Sequence, residues 1–234
     1  MSVNRHRCVP GMVLAFVMLV AAQTWASVSF ERVTWGTGGT TLGWAVPPPA
    51  EDSFALTSPG AGGSGDNLGY LALDFAATNT TAQQTDRMAN NGNGYTGNYR
   101  SNNVGAVRFD LKGYASSTLQ LYFISAAEGG STWLWDLDAP AVDQEWQTYR
   151  VNFQQEGPNG WQTSGGADFL KALSQVESIG LIVQHLGTDA PMQYGLDNWQ
   201  FQLAVPEPEA IPMGIVVALT AFAWGRRLLR TQRV

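Results

Sequence analysis

Cysteine is almost missing. Cys8 is the only one in 234 residues, so no disulfide framework can form and stability has to come from a packed core. Histidine is nearly as scarce. Between 27 and 204 only His185 occurs, which excludes zinc sites built from His and Cys and leaves a serine triad with a single candidate base. His185 sits in an apolar run, where a histidine satisfied within a sheet is the plainer reading. No G-x-S-x-G elbow and no phosphate-cradling glycine loop is present. Lysine is limited to Lys112 and Lys171, and the 27–204 stretch holds seven basic against 17 acidic residues, a net charge of −10. Such a body lacks the electrostatic footprint of a nucleic-acid binder. It should also be repelled by anionic lipid and acidic polysaccharide unless a cation bridged them, whereas neutral glycans stay compatible.

What is present begins with two charge-free apolar runs, one at each end. Arg5 and Arg7 precede Gly11–Ala22, a run of 12 residues, and Thr24-Trp25-Ala26 follows with small residues suited to cleavage before Ser27. Together these read as a secretory signal over 1–26. The run is shorter than the roughly 20 residues of a spanning helix, and the alternative is an uncleaved anchor. Cys8 lies away from the cleavage point, which argues against a lipoprotein. At the other end, Val205-Pro206-Glu207-Pro208 is stiff and short of backbone donors. Ala210–Gly225 then carries no charge, and Arg226, Arg227, Arg230 and Arg233 close the chain. An apolar stretch stopped by arginines places those arginines in the cytoplasm and the upstream body outside. The stretch covers only about 24 Å as a helix against a hydrocarbon core of about 30 Å. It therefore recruits Leu228 and Leu229 while the arginines snorkel.

Residues 205–234 resemble the PEP-CTERM sorting tail: Pro-Glu-Pro (motif 205–209), a hydrophobic helix (about 210–225) and a basic cytoplasmic end (226–234). The resemblance implies an exosortase, a membrane cysteine protease-transpeptidase, as processing partner. It also implies a Gram-negative, exopolysaccharide-producing setting. The tail is an address shared by many unrelated domains, and the alternative is a plain single-pass anchor that is never cut.

The 178 residues between the ends suit one domain. Seven of nine tryptophans and all seven tyrosines fall there, among abundant Gly, Asn, Ser and Thr. Alternating or apolar runs at 28–34, 68–75, 104–111, 118–125, 132–138, 145–153, 178–186 and 194–203 predict half-buried strands. Eight of them predict an all-β jelly-roll β-sandwich. Only 167–176 reads as helix, with Asp168 near its start and Phe169, Leu170, Leu173 and Val176 at helical spacing. A Gly-rich turn is expected at 59–67. A loop is expected at 76–103, where seven asparagines accompany Tyr95 and Tyr99; a loop of this length is either mobile or a binding lip.

Several spaced residues are similar to the galactose-binding-like jelly rolls, including laminin B-like domains and related carbohydrate-binding modules. They are Phe30-Glu31, Gly43-Trp44, Trp146-x-x-Tyr149-x-Val151, Gly160-Trp161, Phe169, Leu173, Val176-x-x-Ile179-x-Leu181 and Gly195-Leu196-Asp197-Asn198. The resemblance implies a possible structural calcium between first and last strands, held by Glu31 and Asp197. Two carboxylates alone do not complete such a site. The alternative has Glu31 exposed and Asp197 capping a turn.

Sugar binding asks for exposed aromatic faces beside hydrogen-bonding groups. The candidates are Tyr95, Tyr99 and Arg100 in the long loop and Trp133 and Trp135 on one strand, though paired tryptophans on a strand also suit a core. Catalysis would need two facing carboxylates, for which Glu128, Glu145, Glu156 and Glu177 are available. The jelly-roll glucanase pattern E-x-D-x-x-E is absent, and Asp136-Leu137-Asp138 is only a fragment of it. The expected function is a non-catalytic, membrane-anchored surface protein binding extracellular polysaccharide. The alternatives are a structural or adhesive domain without a sugar site and a secreted glycan hydrolase.

Overall fold

The computed structural model describes residues 28–36, 40–47, 54–65, 68–77, 83–92, 94–163, 166–186 and 191–204. The expected leader and sorting tail lie outside them. Among the described residues no helix is long and apolar enough to cross a membrane.

Among the described residues ten strands run in the order β1 (Trp44–Ala45), β2 (Phe54–Thr57), β3 (Leu71–Phe75), β4 (Gln83–Asn90), β5 (Val104–Lys112), β6 (Thr118–Ser125), β7 (Ser131–Leu137), β8 (Gln147–Asn152), β9 (Val176–Leu186) and β10 (Met192–Leu203). They form two antiparallel five-stranded sheets, ordered β1-β4-β9-β6-β7 and β2-β3-β10-β5-β8. The expected β-sandwich is therefore present. Period-2 alternation builds it: Val107, Phe109 and Leu111 of β5, Leu119, Leu121 and Phe123 of β6, and Ile179, Leu181 and Val183 of β9 are all buried. These inner faces meet in one cluster dense in rings. Trp199 stacks on Phe109 at 5.3 Å and meets Trp44 edge-on at 5.1 Å, while Phe153 stacks on Trp161 at 5.3 Å.

Three local expectations change. Residues 28–34 make no strand; Val33 alone bridges Trp199, its N–H donating to Trp199 O at 2.7 Å. The helix contracts to α1 (Phe169–Ala172), where the Asp168 carboxylate accepts the Lys171 N–H at 3.0 Å as an N-cap. The expected loop 76–103 contains β4, paired along its whole length with β9. Its polar sequence conceals it, because in QQTDRMAN only Met88 is a large apolar residue facing the core. Beyond β4 the chain turns back into the core: Tyr99 is fully buried, donates its hydroxyl to Tyr95 O at 2.5 Å and meets Phe153 edge-on at 5.0 Å.

Strand β10 changes phase midway. Met192, Tyr194 and Leu196 face inward, and so do Trp199 and Phe201, which have the opposite parity. The pairing with β5 shifts between Asp197 and Gln200, and Asn198 takes φ 54°. One extra residue on one strand is a β-bulge; without it Trp199 would point to solvent.

Burial also marks the tyrosines. Loss of solvent pushes the hydroxyls of Tyr122, Tyr149 and Tyr194 up to about 12, and that of Tyr99 well above its usual value. A phenol whose pKa is raised by folding stabilises the native state fully below its unfolded pKa of about 10. That contribution is lost as pH climbs from about 10 through 12. We expect the urea midpoint to decline steadily above about pH 10, with a delayed class of tyrosinate absorbance. A single tyrosinate midpoint at about 10 in protein that keeps native near-ultraviolet dichroism would contradict this.

Candidate functional site on the outer face of the second sheet

The two outward faces differ in chemistry. On the first sheet, Ala89, Tyr122 and Ile182 form an apolar cluster with Ile124 and Leu134 against it. On the second sheet the outward positions are mostly polar, and they fall in rows across the strands.

One row holds arginines. Arg108 of β5 pairs with Gln200 of β10 on one side and Arg150 of β8 on the other. The antiparallel bridge between Val33 and Trp199 sets Arg32 opposite Gln200. Arg32, Gln200, Arg108 and Arg150 thus line up, with neighbouring chains about 4.8 Å apart. Arg150 Nε donates to Gln202 Oε1 at 2.9 Å and its Nη1 to Asn152 Oδ1 at 2.5 Å.

The adjacent row is built on the bulge. Asp110 accepts from Thr148 Oγ1 at 2.6 Å and from Asn198 Nδ2 at 2.7 Å. Asp197 accepts the Asn198 N–H at 2.7 Å through Oδ1 and the Ser64 N–H at 2.7 Å through Oδ2. Asn198 Nδ2 also donates to Ser64 O at 3.1 Å, while its Oδ1 is buried without a partner. The Gly-rich turn thereby folds over the sheet. It roofs Asp197, which is fully buried although its position faces outward.

Further along, Lys112 Nζ lies 3.9 Å from the centre of the Tyr70 ring and 5.2 Å from that of Trp146, a cation–π arrangement. Trp146 Nε1 donates to Gly62 O at 3.3 Å, again tying the turn down. Gly195 allows this, since a Cβ there would come within 2.9 Å of both Lys112 and Trp146. Beyond it, Asp74 accepts from Gln193 Nε2 at 2.6 Å and Thr57 Oγ1 at 2.7 Å, and Tyr70 donates to Gln193 Oε1.

Between roof and sheet opens a hollow of about 320 Å³ lined by Arg32, Ser64, Gly65, Arg108, Asp110 and Asn198. A larger one of about 460 Å³ lies where Trp133, Glu156, Pro158, Trp161 and Gln162 meet. Trp133 and Trp161 are 1% and 0% exposed, so they offer it no open ring face. Each hollow has one carboxylate in its lining, Asp110 or Glu156, where glycosidases need two. Polar groups converge in the smaller hollow, which is the candidate site.

The sequence candidates fall elsewhere. Tyr95, Tyr99 and Trp133 are core residues, 9%, 0% and 1% exposed; their rings meet protein rings, so none offers the open face a sugar needs. Trp135 is half-buried against Trp161, 5.8 Å between centres. Arg100 is exposed and, with the edge of Tyr99, borders a third hollow of about 260 Å³ floored by Phe153 and Leu173. The structure brings Tyr99 and Arg100 together there, away from the two tryptophans.

Calcium does not fit Glu31 and Asp197. The Val33–Trp199 bridge sets Glu31 beside Phe201, four residues along β10 from Asp197, or about 13 Å along a regular strand. Glu31 is exposed, and both Asp197 oxygens already accept N–H donors. Among the described residues no three or more His, Cys, Asp or Glu side chains come together around a common point.

The chain matches no family model and no curated protein. Among solved structures it is similar to an exo-β-agarase, at 12% identity and a TM-score of 0.53, covering 77% of this chain and 26% of that one. The chain thus spans about a quarter of that protein. It is also similar to the family 11 carbohydrate-binding module of the cellulase Lic26A-Cel5E of Clostridium thermocellum, at 15% identity and a TM-score of 0.43, covering 77% of this chain and 99% of that one. A non-crystalline cellulose specific module, CBM28, matches at 16% identity and a TM-score of 0.41, with 76% and 98% covered. The agarase likeness agrees with the sandwich and, at that identity, speaks of fold alone.

Asn198 gives a direct test of the bulge. Asn198→Gly and Asn198→Ala both lose the bonds to Asp110 and Ser64, but only alanine must also adopt left-handed φ. Alanine should cost about 1 kcal/mol more than glycine in urea unfolding; equal costs would mean that the backbone there is not held as described.

Proposed function

We propose that the chain is an exported, non-catalytic polysaccharide-binding protein. Its ligand lies on the outer face of the second sheet, with the arginine row and the Asp110–Asn198 hollow as the contact. The observation that carries this reading is the convergence of Arg32, Arg108, Asp110 and Asn198 under one roof. The face around them is rich in hydrogen-bonding side chains held in place by one another. Sugars present many hydroxyls at fixed spacing, and oriented amide, guanidinium and carboxylate groups are what match them. Trp146, half-buried and packed edge to face at 5.5 Å against the buried Tyr70, borders the same face and supplies apolar surface. Arg100 and Trp135 fall outside it and are secondary candidates. The hydrolase alternative has no carboxylate pair in either hollow to support it.

Around this domain the sequence supports an address. A leader over 1–26 exports the chain, 210–225 crosses the inner membrane, and Arg226, Arg227 and Arg230 remain cytoplasmic. An exosortase acts at Val205, Pro206, Glu207 and Pro208. The domain is thereby presented at the cell surface or released into the matrix.

Two measurements test these parts. Residues 27–204 on a glycan array should bind polysaccharide, with affinity lowered by Asp110→Ala and unchanged by chelator. Binding to no glycan would leave the structural or adhesive role in its place. Mass analysis of the chain recovered from cells that carry an exosortase should find a new C-terminus near 205–209. An intact tail would leave a plain anchor.

A further inference from the structure

The arginine row is at odds with the body that carries it. Acids outnumber bases 17 to seven between 27 and 204. Three of those seven bases, Arg32, Arg108 and Arg150, nevertheless share one row of one face. Lys112 is a fourth on that face. The net charge of −10 therefore misdescribes the surface that a ligand would meet.

Arg108 and Arg150 are direct cross-strand partners, and like charges placed directly opposite destabilise a sheet. Packing does not demand them, since both are exposed. The groups that orient Arg150, Gln202 and Asn152, are neutral. Asp110, the carboxylate of the hollow, has both oxygens engaged by Thr148 and Asn198. Arg150 is thus held by uncharged partners, and its pairing with Arg108 carries a cost in repulsion that an arriving anion would remove.

We infer that the ligand is an anionic polysaccharide, bearing carboxylate or sulfate groups that the guanidiniums of Arg32, Arg108 and Arg150 grip along the row. The inference rests on the polysaccharide-binding reading above. A guanidinium fork matches two oxygens of either group. The row runs across the strands, with Arg108 about 4.8 Å from Arg150 and about 9.6 Å from Arg32 at the backbone. A chain with regularly repeating anions would lie across β10, β5 and β8, perpendicular to them. This departs from the expectation drawn from composition, in which acidic polysaccharide is repelled.

The full chain in mild detergent would be titrated calorimetrically with polygalacturonate, dextran sulfate, neutral dextran and polyglutamate. Polygalacturonate or dextran sulfate should bind, and the stronger of the two names the recognised group. That affinity should fall with salt. Neutral dextran and polyglutamate should bind at least about tenfold more weakly. Arg108→Ala should weaken the anionic polymer by about tenfold or more while the melting temperature holds or rises, because a like-charge contact is gone. Arg108→Lys should keep the salt dependence and recover part of the affinity. Tight binding of neutral dextran alone would overturn the anionic inference and leave the polysaccharide reading standing. Binding of no polymer would remove both. Polyglutamate binding as tight as polygalacturonate would overturn sugar recognition in favour of bare charge. A lowered melting temperature in Arg108→Ala with affinity unchanged would assign the row to stability and overturn the inference.

Discussion

Strand β10 has to serve two faces whose demands conflict. Its N-terminal half sends Tyr194 and Leu196 into the core, and its C-terminal half must deliver Trp199 and Phe201 there too. Strict alternation cannot do both, because Leu196 and Trp199 are three residues apart. The surplus residue is absorbed at Asn198 in the left-handed region, and much else follows from that adjustment. Trp199 reaches Phe109 of its own sheet and Trp44, which ties the second sheet to the edge strand of the first. Asp197 and Asn198 are both delivered to the opposite side, where they pull the Gly-rich turn down as a roof.

The sandwich also separates its chemistry by face. Interior positions are filled mainly by rings and branched chains, one outer face is apolar at its centre, and the other carries amides, hydroxyls and guanidiniums. The polar face is ordered by short local bonds, such as Thr148 to Asp110 and Gln193 to Asp74. Side chains held in this way would lose little further freedom on meeting a ligand.

Much of the architecture was legible in the sequence. Val107, Phe109 and Leu111, or Leu119, Leu121 and Phe123, announce strands because one face is apolar throughout. Strand β4 was hidden because its outward and edge positions are polar and Asp86 and Asn90 are buried polar residues among its inward set; alternation of hydrophobicity cannot register these. The aromatic candidates misled for a related reason. Tyrosines in an Asn-rich segment look solvated, yet Tyr95 and Tyr99 cap the sandwich from within. The arginine row beside the hollow depends on register: Arg32, Arg108 and Arg150 lie far apart in sequence and meet only through two strand pairings and a bridge. One local signal did exist. In Gly195-Leu196-Asp197-Asn198-Trp199 the apolar spacing stretches from two to three, which is what a bulge looks like in a sequence.

The way the chain leaves the sandwich has a mechanical consequence. Ala204 is pinned as it departs: its N–H donates to Asn103 O at 2.8 Å, and Asn103 Nδ2 reaches back to its carbonyl at 3.4 Å. Tension applied beyond that residue would run lengthwise into β10, an interior strand bonded to β5 and β3. Under such a load the rungs share the force in shear and yield together, where a hairpin edge would unzip one rung at a time. Gln200, one member of the arginine row, sits four residues from the point of pull, so such a load would strain the row and the strand in the same motion.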